Sequence, residues 1–286
     1  MKTNIIIFSK NRTLQLKSLL LSLRHYSDVP EENIIVIYKT DPEISYEPLR
    51  EQFACSFIEQ CDFLKDVQIA VYGNDSDYVW FMVDDLIYRD SFSLGTIEKF
   101  LDEHKDVDSF CLRLGKNIKK GRQPQFLSEK DGICIWNTAE DQGKYWNYFW
   151  ELCSSFYRRE LVIEYLQKCR PERETFPNPF EFHYYACMPT TRISGMVKII
   201  NNIRFMFRKK SARVACFDKS KCFIHGINLV AELDDKREET YNVKELHQKM
   251  LDGYIIDFKS MNDVELDTPS PGHEYFKMIK ETTKEI

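Results

Sequence analysis

The sequence predicts an α/β domain with a mixed central sheet, flanking helices and a helical C-terminal tail. Three observations lead there: short β-branched runs that end in polar turns, a Leu-rich helical period between the first two of them, and an apolar run at residues 78–83 that stops on two aspartates. The chain of 286 residues, 43% hydrophobic and 30% charged, is long enough to bury one large core.

Asn4 to Phe8 reads as a buried strand, because a continuous apolar run closed by a polar turn suits a strand covered on both faces. Leu16, Leu19, Leu20 and Leu23 recur at helical spacing and predict a helix over Leu14 to His25, with Ser27, Asp28 and Pro30 at its exit. Asn33 to Tyr38 supplies a second buried strand, which completes a parallel crossover unit. Leu49 to Leu64 is expected as a helix and Val67 to Val71 as a short strand. Tyr78 to Val83 is β-prone and ends at Asp84 and Asp85, and the carboxyl ends of parallel strands are where open α/β sheets bind ligands.

A helix over Phe92 to His104 and a strand over Ser109 to Leu114 follow. Gly115 to Gly143, rich in Gly, Pro, Asn and charge, predicts a loop or hairpin. Helical character is expected over Phe156 to Cys169, then a new element over Phe180 to Cys187 beyond Pro171, Pro177 and Pro179. Ala215 to Ile224 is expected as the last sheet strand, with helices at Val243 to Leu251 and Glu274 to Thr283. Residues 1–230 are thus expected as the main domain and 231–286 as a helical extension packed on it.

A net charge of -5 gives no general attraction to nucleic acid. Nine cysteines without a CxxC pair or a zinc-like spacing fit reduced thiols and a cytoplasmic location. The run Ile5 to Phe8 is too short for a signal-peptide core, and no stretch approaches the roughly 20 apolar residues of a membrane span. The basic stretch Lys198, Arg204, Arg208, Lys209, Lys210 and Arg213 offers a solvated face, a peripheral contact at the inner face of a membrane, or a lid touching the diphosphate.

Paired carboxylates at a strand end can hold Mg²⁺ or Mn²⁺, whose charge neutralises a diphosphate; the alternative for Asp84 and Asp85 is a solvated turn. Phe8-Ser9-Lys10-Asn11-Arg12 ends the first strand of the same chain. Over residues 3–230 this order of a strand, a Ser/Asn/Arg turn, a Leu-rich helix and a later acidic strand end resembles the family-2-like glycosyltransferases of the GT-A fold. The resemblance implies a nucleotide-sugar donor, with Ser9, Asn11 and Arg12 near the nucleotide and Asp84 and Asp85 facing the diphosphate and metal. It also implies a hydroxyl acceptor on a glycan or lipid-linked chain, and a place in surface polysaccharide or glycolipid assembly. Val83 departs from the family's DxD pattern, so Asp85 is the preferred metal ligand.

His225 is a candidate to complete the metal shell, as a late histidine does in some of these enzymes, or else a satisfied structural residue. Asp41 is a candidate for the base or ribose, or else a turn residue beside Pro42. Glu181, flanked by Phe180 and Phe182, is either an exposed first-turn helix residue or a carboxyl whose pKa is raised by desolvation; the resemblance implies that it is the base of an inverting transfer, with Asp141 and Glu151 in reserve. The dense aromatic cluster near residues 146–157 is either core or a sugar-stacking wall, and Trp150 is the candidate ring for the latter. The competing functions are a sugar-phosphate nucleotidyltransferase, disfavoured because no Gly-rich loop follows the first strand, and a non-catalytic nucleotide-sugar-binding protein.

Overall fold

The computed structural model describes residues 2–138, 145–172, 175–187, 212–228, 241–272 and 275–281, with the backbone alone at 183 and 185–187. Asp141 and residues 198–210 of the basic stretch lie outside them; Arg213, within them, is exposed and pairs with Asp106. The opening apolar run forms β1 (Thr3–Lys10) and the Leu period forms α1 (Thr13–Tyr26), followed by β2 (Ile34–Lys39), α2 (Glu47–Gln52), β3 (Ser56–Glu59) and α3 (Phe63–Tyr72). β4 (Tyr78–Val83) leads through the acidic turn into β5 (Leu86–Tyr88), and α4 (Leu94–Glu103) and β6 (Ser109–Cys111) come next.

The expected hairpin is β7 (Ser128–Lys130) and β8 (Ile133–Asn137), joined by Asp131 and Gly132 at φ of 53° and 75°. Two positive values are what a tight two-residue hairpin turn needs, and Asp-Gly supplies them. β9 (Ser155–Arg158), α5 (Arg159–Leu166), α6 (Pro177–Cys187), β10 (Arg213–Phe217) and β11 (Cys222–Ile224) follow. The C-terminal region contributes α7 (Val243–Leu251), β12 (Tyr254–Ile256) and β13 (Met278–Lys280).

Nine strands make one mixed sheet in the order β3-β2-β1-β4-β9-β6-β10-β8-β7. The first four are mutually parallel; β9 runs antiparallel to both β4 and β6. Successive residues of β1 and β4 feed opposite faces: Ile5, Ile7, Trp80 and Met82 join one apolar cluster, while Ile6, Phe8, Val79 and Phe81 join the other. Burial on both faces is why these two runs read as unbroken apolar stretches.

Several elements differ from the sequence expectation. Val67 and Val71 lie on a helix rather than a strand, because Asp62 caps α3 by accepting the Lys65 N–H at 3.2 Å and the two valines share its buried face. The expected helix over 49–64 ends at Gln52, and Ser56–Glu59 pairs with β2 instead. Phe156 and Tyr157 are strand residues inserted between β4 and β6. The last sheet strand stops at Phe217, and β11 pairs antiparallel with β5 in a separate ribbon. The expected terminal helix carries β13, whose Ile279 pairs with Ile255. α7 and β12 pack on α1, within the same apolar cluster as β1. No helix among the described residues is long and apolar enough to cross a membrane.

Candidate active site

β1 and β4 lie side by side with Phe8 opposite Val83, so the turns leaving their carboxyl ends meet. There Asp84 accepts from Ser9 Oγ at 2.9 Å, from the Lys10 N–H at 3.1 Å and from Arg12 Nη1 at 3.1 Å. Arg12 Nη1 also donates to Asp85 at 3.0 Å, so one buried guanidinium serves both carboxylates. Its Nε donates to Asn228 Oδ1 at 3.0 Å, its Nη2 to the Asn228 carbonyl, and Gln15 Nε2 reaches the same Oδ1 at 2.9 Å.

Burial pushes Asp84 up to about 6, against the pull of Arg12 and with repulsion from Asp85 adding to it. Burial opposes the charge of Arg12, but Asp84 and Asp85 outweigh it and raise the guanidinium pKa. Tyr46 supports the turn from below: its hydroxyl lies 2.7 Å from Ser9 Oγ and accepts the Arg12 N–H at 3.3 Å, while its ring stacks on Tyr38 at 4.4 Å.

A cleft of about 330 Å³ crosses these strand ends. Ser9, Lys10, Arg12, Asp84 and Asp85 line its middle. Ile37, Lys39 and Gln60 line the part above β2 and β3; Leu152, Cys153, Asn178 and Glu181 line the part toward β9 and α6. Glu181 Oε2 accepts the Leu152 N–H at 3.2 Å. Burial pushes its carboxyl up to about 7, with the Glu151 charge adding to the rise.

Ser9, Arg12, Asp84, Asp85 and Glu181 are therefore brought to one cleft. Asn11 and Asp41 are brought to each other instead. Asn11 sits in the left-handed region at φ 59°, its Nδ2 donates to Asp41 at 2.8 Å, and the Asp41 N–H returns to Asn11 Oδ1 at 2.8 Å. This pair ties the end of β1 to the end of β2, and neither residue lines the cleft.

Trp150 is a correction: its ring is fully buried, stacked on Tyr184 at 4.4 Å and packed on Tyr157 at 4.5 Å. The aromatic density around it builds core between sheet and α6. Glu151, the reserve base, is buried against Arg113 and outside the cleft lining.

His225 reaches the acidic turn through its backbone, whose N–H donates to the Asp85 carbonyl at 2.7 Å. Its buried ring packs 5.1 Å from Phe276 and 5.9 Å from Phe223. Among the described residues no three His, Cys, Asp or Glu side chains converge on one point. Asp84 is already taken by three donors, whereas Arg12 engages only one oxygen of Asp85. Of the two carboxylates, Asp85 is thus the one with an oxygen left to offer a hard cation.

Sequence reasoning missed Tyr46, Gln15, Lys39, Gln60 and Cys153. Gln15 carried a signal, as a polar residue within the buried Leu period of α1. Tyr46 carried none.

The elevated Glu181 pKa makes a stability prediction. The unfolded chain releases this proton near 4.5 and the folded one near 7, so the stabilising effect is complete below 4.5 and is lost as pH rises through about 7. The native protein should lose stability relative to Glu181→Gln across that window, with the difference constant above it. Parallel denaturation midpoints from pH 4 to 8 would contradict this.

No family model matches the chain. In sequence it is 29% identical over 210 residues to the bifunctional glycosyltransferase pgtA of Dictyostelium discoideum, covering 63% of this chain and 27% of the relative. The chain thus spans about a quarter of that relative's length. Among solved structures, Staphylococcus aureus TarS aligns with a TM-score of 0.47 at 15% identity, covering 78% of this chain and 36% of TarS. The mannosyltransferase PcManGT of Pyrobaculum calidifontis, solved with GDP-Man and Mn²⁺, aligns with a TM-score of 0.34 at 12% identity, covering 57% and 46%. A Leptospira borgpetersenii cytidylyltransferase aligns at 0.38 and 14%, covering 65% and 71%. Structural likeness of this degree leaves the functional argument to the cleft and to the sequence relative, which is a glycosyltransferase, the class that the first turn and the acidic strand end resemble.

Proposed function

We propose that this chain is a nucleotide-sugar glycosyltransferase of the family-2-like, inverting kind, transferring a sugar to a hydroxyl acceptor. The observation that carries this reading is the single cleft with two chemically different parts: the Arg12, Asp84 and Asp85 cluster at the strand ends, and Glu181 toward α6.

The diphosphate of the donor lies at the β1 turn, where Lys10 and Arg12 offset its charge and Ser9 lines the floor. Asp85 would hold Mn²⁺ or Mg²⁺, which supplies neutralisation of the charge developing on the departing diphosphate. The buried His225 ring, packed on Phe276 and Phe223 and outside the cleft lining, is not assigned to that ion. Asp84 orients Arg12 and the first turn. The nucleoside extends toward Ile37, Lys39 and Gln60, and the sugar toward Leu152 and Cys153. Glu181 accepts the proton of the acceptor hydroxyl as that oxygen bonds to the anomeric carbon and the bond from that carbon to diphosphate oxygen breaks. A pKa near 7 suits a base that must take a proton and later release it to water.

The acceptor enters beside α6, where Phe182 is 53% exposed and offers the aromatic surface that Trp150 does not. Glycan or lipid-linked acceptors at the cytoplasmic face of a membrane fit this reading. A calorimetric screen of UDP-, GDP-, CDP- and dTDP-sugars with and without Mn²⁺ tests it. At least one donor should bind, more tightly with the metal; an absence of binding across the panel under both conditions contradicts the reading.

A further inference from the structure

We propose that the buried pair Arg113 and Glu151 is a positioning device for Glu181, fixing both the backbone donor that holds its carboxylate and the charge that carboxylate faces. The inference rests on the assignment of Glu181 as the base.

Arg113 lies just beyond β6 and Glu151 just before β9, two antiparallel neighbours in which Cys111 faces Ser155. Their side chains are 8% and 5% exposed. A buried ion pair is a weak source of stability, since apolar residues of similar volume often serve as well. Here the surroundings are built for the charges. Besides Arg113, the Glu151 carboxylate accepts from Ser155 Oγ at 2.7 Å and Cys111 Sγ at 3.2 Å, and its backbone N–H donates to Tyr157 Oη at 2.7 Å. Residue 151 is thus pinned through side chain and backbone alike.

The next three residues carry that rigidity to the cleft. The Leu152 N–H donates to Glu181, and Cys153 lines the cleft wall. Ser154 turns the chain into β9 in the left-handed region at φ 72°, with its Oγ 2.7 Å from Tyr88 Oη and accepting from Trp80 Nε1 at 3.2 Å. Loosening Glu151 would therefore move the Leu152 backbone donor that Glu181 uses.

The charged and titratable groups around Glu181 come from four directions. Glu151 and Cys153 belong to the turn before β9, Arg113 follows β6, Asp84 and Asp85 end β4, and Arg12 ends β1. His183, on the same helix, has a side chain outside the described residues. Of the charged groups in this set, Glu151 is the one that raises the Glu181 carboxyl most, and Arg113 opposes it more weakly. Glu151, paired with Arg113, thereby supplies the like charge that the base faces.

The test needs no donor: carboxyl carbon-13 NMR titration of the full chain, with the Glu181 signal identified by its loss in Glu181→Gln. In Glu151→Gln the Glu181 midpoint should fall by about one pH unit, as expected for removal of a nearby like charge, and the Leu152 amide signal should shift. In the electroneutral double variant Arg113→Gln, Glu151→Gln, which leaves no uncompensated buried charge, the midpoint should fall by less. An unmoved or raised midpoint in the folded single variant overturns the proposal. Should the single variant not fold, an unmoved midpoint in the double variant overturns it equally. The base assignment fails by a separate observation, near-native transfer by Glu181→Gln.

Discussion

Glu181→Gln should lower transfer by about 10²- to 10⁴-fold, the usual cost of removing a general base. Donor affinity should stay nearly unchanged, because the Arg12, Asp84 and Asp85 cluster proposed to receive the diphosphate is untouched. The glutamine still offers an oxygen to the Leu152 N–H, so the turn at 152–154 keeps its anchor. The native rate should rise with pH through about 7 as the carboxyl ionises, and the variant should lack that limb. Rates, donor affinity and thermal midpoint measured on one preparation check this. Near-native turnover would remove Glu181 from the chemistry, and because Glu151 is tied up with Arg113, the search would pass to residues outside those described.

Asp85→Ala should abolish Mn²⁺-dependent tightening of donor binding and lower transfer by about 100-fold or more, since metal stabilisation of a leaving group is worth several kcal/mol. The fold should survive: Arg12 keeps Asp84 and Asn228 as partners, and Asp85 takes only one of its hydrogen bonds. Asp84→Ala should behave differently. It removes the acceptor shared by Ser9, Lys10 and Arg12 and leaves the guanidinium only Asp85 and Asn228, which costs about 1–3 kcal/mol of stability. Equal losses of stability in the two variants, measured by denaturant titration, would show that Asp85 is structural too.

The parts legible in the sequence were those whose signal is local. β1, α1 and β4 are continuous or periodic apolar runs buried on the faces their patterns imply, and the turn at 9–12 and the acidic end at 84–85 sit where parallel strands stop. Val67 and Val71 misled because β-branching suggests a strand, while the Asp62 cap and four-residue spacing made a helix. Trp150 misled because aromatic density marks core as readily as a cleft wall.

The rest of the site is assembled across long stretches of chain. Asn228 meets Arg12 over 216 residues, and Tyr46 meets Ser9 over 37, contacts that no local pattern encodes. Glu181 was legible as a carboxylate between aromatic rings, but its partner Leu152 and the Arg113 and Glu151 pair behind it became visible only with the sheet order that sets β9 between β4 and β6.

The most direct test of the central claim is the stoichiometry of products with a donor found in the binding screen and a hydroxyl acceptor. Released nucleoside diphosphate and newly formed glycosidic bond should appear one for one, with the anomeric configuration of the transferred sugar inverted. Formation of nucleotide sugar and pyrophosphate from a nucleoside triphosphate and a sugar phosphate, with no glycosidic product, would contradict it.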